Sequence, residues 1–227
     1  MKIINEAEMP EEYMAIVKEI VENIINNNSE LDLRELKCVK IVNVLDNANA
    51  DGRYENNCIL LSKSKTENYI RMRDFNTIKS TFYHELCHVD LKSKLPQLHI
   101  LSEKYKREKK YIKFFTIMVY IEYVCHLMSL KYETEENVKR FLESVNNRKW
   151  NFNDEITKIY FIKYASYILG RINNNFDYIN IIESDEVKER LVKLKKILER
   201  INRFGVIDDY NNLLELEKYV SKYINDD

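Results

Sequence analysis

The sequence predicts an α+β chain, mostly helical, with a small N-terminal sheet and an all-helical C-terminal half. Glycine and proline are scarce, three and two in 227 residues. That removes the turn residues on which a many-stranded barrel or sandwich depends. Apolar residues recur at three- and four-residue spacing along most of the chain, which is the helical period. Strand-like alternation is confined to the stretch before residue 63.

Taken in order, Pro10 to Ile25 reads as a helix, with Met14, Val17, Ile20, Val21, Ile24 and Ile25 on the helical period and Asn26-Asn27-Asn28 ending the run. Cys38 to Leu45 alternates like a strand through Val39 and Ile41. Asp51-Gly52 marks a turn, and Arg53 to Ser62 reads as a second strand or hairpin arm centred on Cys58-Ile59-Leu60-Leu61. Phe75 to Leu91 is the next helix. Its stripe of Phe75, Ile78, Phe82, Leu86 and Val89 faces a core, and Asp74 or Asn76 can cap its start. Lys94-Leu95-Pro96 ends that region, and the charged run Lys104 to Lys113 reads as the front of the following helix.

Phe114 to Leu130 is apolar nearly all round. A membrane span needs about 20 residues, and Glu122 and His126 near the centre of this stretch oppose one, so a buried core helix is expected. From Thr134 the chain reads as wholly helical, in segments 134–146, 153–172, 184–204 and 208–224, with Ser184 as an N-cap and Gly205 as a stop. The expected division is a core at 1–131 and a helical extension at 132–227 that closes a cleft or binds a target.

Bulk properties narrow the function classes. Lys+Arg number 36 and Asp+Glu 37, so no bulk attraction to nucleic acid or anionic membrane is expected. The 16 tyrosines lack an accompanying basic stripe and read as packing residues, not a base-stacking platform. Met1 to Pro10 is charged and lacks an apolar run, so no signal peptide is expected. Cys38, Cys58, Cys87 and Cys125 are scattered without a C-x-x-C pair. This excludes a zinc ribbon and speaks against a disulfide framework. A cytoplasmic protein without a membrane or nucleic-acid partner is expected.

One stretch reads directly as chemistry: His84-Glu85-Leu86-Cys87-His88, an H-E-x-x-H pattern. By chance it is expected roughly once in a hundred chains of this composition. On a helix the two histidines lie four residues apart, face the same way, and can grip one divalent ion. Both sit about 200° from Phe82 and Leu86, so the core stripe and the histidines look in different directions. Glu85 is then placed to handle the proton of a metal-bound water. A catalytic zinc takes three protein ligands and leaves one position open. Glu122, a carboxylate inside an apolar helix, is the first choice for the third, because such burial is costly unless the charge is paired or bound to a cation. His99 and His126 are the alternatives. Asp90 can orient a ligand histidine. Cys87 and Cys125 read as small buried hydrophobes.

The segments T-F-Y-H-E-L-C-H-V-D-L and I-E-Y-V-C-H-L-M-S resemble the zincin metallopeptidases of the gluzincin type, in which a glutamate on the next helix completes the metal site. The preceding helix and short strands are similar to a minimal zincin core of the ImmA/IrrE kind, known from phages and bacteria. The resemblance covers roughly residues 10–130. SprT-like proteases share H-E-L-C-H but add a His-Gly and a zinc ribbon that this chain lacks, and no metzincin G-x-x-H follows His88. The resemblance implies His84, His88 and Glu122 as Zn2+ ligands and Glu85 as general base. An oxyanion donor is also needed, for which Tyr120, Tyr123 and His126 are candidates. The implied function is a zinc-dependent metallopeptidase that hydrolyses a peptide bond of an intracellular protein. The alternative is a non-catalytic, zincin-like helical interaction protein of phage or bacterial defence.

Overall fold

The computed structural model describes residues 1–45, 50–203 and 205–225. The described chain divides into two compact units, Met1–Ser93 with Met128–Thr134, and Lys94–Leu127 with Glu135–Asp227. The fold is mostly helical α+β, with a single small sheet among the described residues.

The first unit holds that sheet. Strands β1 (Lys2–Asn5), β2 (Cys38–Val42), β3 (Gly52–Glu55) and β4 (Cys58–Ser62) lie in the order β1-β2-β4-β3. The first three neighbours are parallel and β3 is antiparallel to β4. The alternation read in the sequence has its physical counterpart in Val39, Ile41, Ile59 and Leu61, all essentially inaccessible to solvent. The expected second strand is two arms of a hairpin. Asn56 and Asn57 both take left-handed backbone angles, φ 50° and 63°, which a two-residue turn of this hand requires and asparagine tolerates better than most residues.

Helix α1 (Glu11–Asn26) links β1 to β2. It carries Glu11 and Glu12 in its first turn, favourable against the helix dipole. Its exit is pinned by Asn28, which is fully buried. The Asn28 amide donates to Ile24 O and to the Tyr132 hydroxyl, and its oxygen accepts from Lys131. Helix α2 (Lys63–Arg71) leaves little trace in the sequence, because Thr66 and Ile70 alone form its buried stripe. Helix α3 (Phe75–Lys94) is the motif helix. Asp74 caps it, with Oδ1 accepting the Thr77 N–H at 3.2 Å.

Cys38 and Cys58 depart from expectation. They are register partners across β2 and β4, 4.8 Å apart at Cα, and are joined by a disulfide. Sequence spacing carries no register, so two cysteines 20 residues apart gave no sign of meeting.

The second unit is helical. Pro96 occupies the first turn of α4 (Pro96–Arg107), where its missing N–H costs nothing. The charged run expected to open the next helix is split: Lys104 to Arg107 end α4, Lys109 turns the chain with φ 55°, and Tyr111 to Lys113 open the next helix. Asp208 accepts the Gln97 and Leu98 N–H groups at the start of α4, at 3.1 and 2.9 Å. That cap comes from more than a hundred residues away. Helix α5 (Tyr111–Ser129) contains the apolar run and continues past Leu127 into residues of the first unit. The stretch Tyr111–Tyr132 is long and apolar enough to cross a membrane, and 61% of its most apolar window is buried inside the protein.

Helices α6 (Glu135–Asn146), α7 (Glu155–Arg171), α8 (Asp185–Asn202) and α9 (Leu214–Asn225) follow. Their order matches the segments read from the sequence, although residue 204, the expected end of the third, lies outside the described residues. Ser184 caps α8 by accepting the Val187 N–H, and Gly205 has φ 90°. Helices α7, α8 and α9 pack on one another around Phe161, Leu169, Leu191, Leu198 and Leu216, all buried. Trp150, Phe152, Tyr164 and Tyr223 add edge-to-face ring contacts.

Candidate metal centre

The motif helix is buried on more than one face. Ile78, Phe82, Leu86 and Val89 are inside, as the stripe requires, and so are Tyr83, Glu85, Cys87 and Asp90. His84 and His88 are half-buried. Four-residue spacing stacks them one turn apart. Their rings meet edge to face with centroids 4.8 Å apart, and their Nε2 atoms approach to 3.2 Å. A single proton or a shared cation can bridge such a separation. Two imidazole nitrogens on one tetrahedral zinc, each bound at about 2.0–2.1 Å, stand roughly 3.3–3.4 Å apart.

Glu122 on α5 is 7% exposed. His84, His88 and Glu122 each offer one ligand atom, and these atoms all lie within 4.8 Å of one another. Two imidazoles and a carboxylate are a zinc-type donor set, equally acceptable to other divalent transition ions. The group could therefore hold a metal ion. His99 and His126 are not part of it. His99 sits on α4, and His126 is buried one turn beyond Glu122.

Glu85 is 7% exposed and lies between the two histidines in sequence. Asp90, fully buried, accepts the backbone N–H of Asp32 at 2.8 Å. It thereby ties the loop before β2 to the motif helix.

The three candidate donors for an oxyanion are distributed as follows. The Tyr120 hydroxyl accepts the Ile207 N–H at 2.9 Å. The Tyr123 hydroxyl donates to Asn173 Oδ1 at 3.2 Å. Burial pushes the Tyr123 phenol up to about 12 and raises that of Tyr120, so both keep their protons at neutral pH. Their polar ends are engaged inside the helical unit. The His126 ring packs on Tyr167, with centroids 4.5 Å apart.

Sequence reasoning passed over two features around these residues. Tyr167 lies against His126, yet it is one of many tyrosines and carries no distinguishing signal. Gly170, in the last turn of α7, lies against α5 with no room for a side chain. A Cβ there would stand 2.5 Å from His126 Cβ and 2.9 Å from Tyr123 O. A glycine inside an otherwise regular helical pattern is the signal that could have exposed it. Comparison with known proteins finds no family, curated protein or solved structure that matches this chain.

Proposed function

We propose that this chain is a zinc-dependent metallopeptidase that hydrolyses a peptide bond of a protein. The observation that supports the reading is the convergence of His84, His88 and Glu122, with Glu85 between the two histidines. His84 and His88 would hold the ion through nitrogen, and Glu122 through a carboxylate oxygen. A bound zinc supplies Lewis acidity and a water that ionises near neutral pH.

The residues of the chain do the rest. Glu85 accepts a proton from the attacking water and delivers it to the leaving nitrogen, so that one carboxylate serves first as base and then as acid. Its burial excludes competing solvent and fixes its approach. His126, one turn beyond Glu122 on α5, is the candidate donor to the developing oxyanion.

The test has two parts. Purified protein should take up about one zinc per chain, and His84→Ala should abolish uptake. Glu85→Gln should keep the metal and lose cleavage of a susceptible protein by about a hundredfold or more, the scale of a lost general base. A native chain that binds no divalent ion overturns the proposal.

A further inference from the structure

The chain has three glycines, and one of them touches the residue proposed as general base. Gly52 opens the edge strand β3 and pairs with Leu61 of β4. Among the described residues, the glycine with a positive φ is Gly205. Gly52 is therefore not there for a left-handed backbone. Space is the reason. A Cβ at Gly52 would stand 3.0 Å from Thr81 Cγ2, 3.2 Å from Glu85 Cγ and 3.4 Å from Leu61 Cδ2. Thr81 and Glu85 lie one turn apart on α3, so the bare strand backbone crosses the helix at the turn that ends in Glu85.

We infer that Gly52 is a positioning residue for Glu85, and the inference rests on the reading of Glu85 as general base. A glutamate has three rotatable bonds, and a free one samples many carboxylate positions. A wall of backbone against Cγ removes those rotamers that swing toward the strand. The ladder to β4 holds that wall in place, as does the Ser62 N–H to Asp51 O bond at 3.0 Å. Proton transfer needs the carboxylate within hydrogen-bond reach of its partner, and catalytic groups are held to about half an ångström by such supports. A methyl at Gly52 would press on Thr81 Cγ2 and Glu85 Cγ, each of which would have to give by a few tenths of an ångström, and neither His84 nor His88 is among its three nearest neighbours. The position therefore bears on the base more directly than on the histidine ligands.

The experiment uses the full chain loaded with zinc and acetohydroxamic acid as probe. A hydroxamate chelates zinc and gives its proton to an adjacent carboxylate, so its affinity reports the placement of Glu85 without any substrate. Calorimetry on wild type, Glu85→Gln, Gly52→Ala, Thr81→Ser and Gly52→Ala/Thr81→Ser is compared with zinc affinity and melting temperature. Gly52→Ala should bind zinc within about twofold of wild type and bind the hydroxamate about tenfold more weakly, as Glu85→Gln does; that is the scale of one charge-assisted hydrogen bond. Thr81→Ser removes the tightest contact. The double variant should therefore recover the melting temperature while keeping the weakened hydroxamate binding, and it replaces Gly52→Ala if the single variant fails to fold. Wild-type hydroxamate affinity in Gly52→Ala, or its restoration by Thr81→Ser, overturns the role of Gly52 alone. Equal affinities in wild type and Glu85→Gln, or no zinc uptake, overturn the hydrolytic reading and this role with it.

Discussion

Gly170 shows how one missing methyl can decide where a neighbouring helix lies. A Cβ there would meet His126 Cβ at 2.5 Å, Tyr123 O at 2.9 Å and Leu127 N at 3.2 Å. Two of these three atoms are backbone, so no side chain can rotate out of the way. In an exposed helix, glycine to alanine stabilises by about 1 kcal/mol. Here the sign should reverse. Gly170→Ala is expected to destabilise by about 1–3 kcal/mol, the usual cost of overpacking, and thermal unfolding should show a fall of roughly 2–4 °C per kcal/mol. A rise in melting temperature would mean that α7 and α5 are not held this close. At this scale the sequence was informative about chemistry and silent about clearance. His84, His88 and Glu122 were legible as a group that could hold an ion because a divalent metal calls for those donor types, and the structure brings them together. The clearance at Gly52 and Gly170 was not, because it depends on what another element brings opposite them.

At the scale of elements, legibility followed the strength of the local signal. Helices α1, α3 and α8 announced themselves through apolar stripes. Helix α2, whose buried stripe is Thr66 and Ile70, did not. Helix α4 carries no local N-cap signal, because its cap, Asp208, is supplied from a distant segment. Helix α7, by contrast, carries a local cap with a measurable signature. Asp154 accepts from the Thr157 N–H and hydroxyl, at 2.7 and 2.8 Å. These bonds, the hydroxyl's first, hold its carboxyl below the usual range. The folded pKa is thus depressed relative to the unfolded chain. The stabilisation is complete above the ordinary carboxylate pKa of about 4 and is lost as pH falls through the folded value. Asp154→Asn should cap comparably but without charge. Its unfolding free energy should therefore fall less than that of wild type between neutral pH and about pH 2, as followed by denaturant titration. Identical acid limbs in the two proteins would refute this account of the cap.

For the whole molecule, the near-balance of charge, 36 basic against 37 acidic residues, means that net charge supplies no bulk attraction to an oppositely charged partner. The proposed metal site would act on the entire folding equilibrium. An ion that binds the folded chain alone, at a free concentration a hundred times its dissociation constant, adds about 2.7 kcal/mol. Adding zinc should raise the melting temperature by roughly 5–10 °C, taking about 2–4 °C per kcal/mol for a chain of this size, and a chelator should reverse the rise. A His84→Ala/His88→Ala variant should respond to neither. If that variant responds like wild type, the stabilising ion binds elsewhere.

The Cys38–Cys58 bridge has a consequence of a topological kind. It closes the intervening chain into a covalent ring that contains β3 and the hairpin turn. A protease that cuts once inside this ring leaves a single molecule, with both pieces still joined through sulfur and still hydrogen-bonded along β2 and β4. The wound becomes visible when a reductant parts the two ends. Intactness judged without reduction therefore says nothing about the continuity of the strand that lies against Glu85.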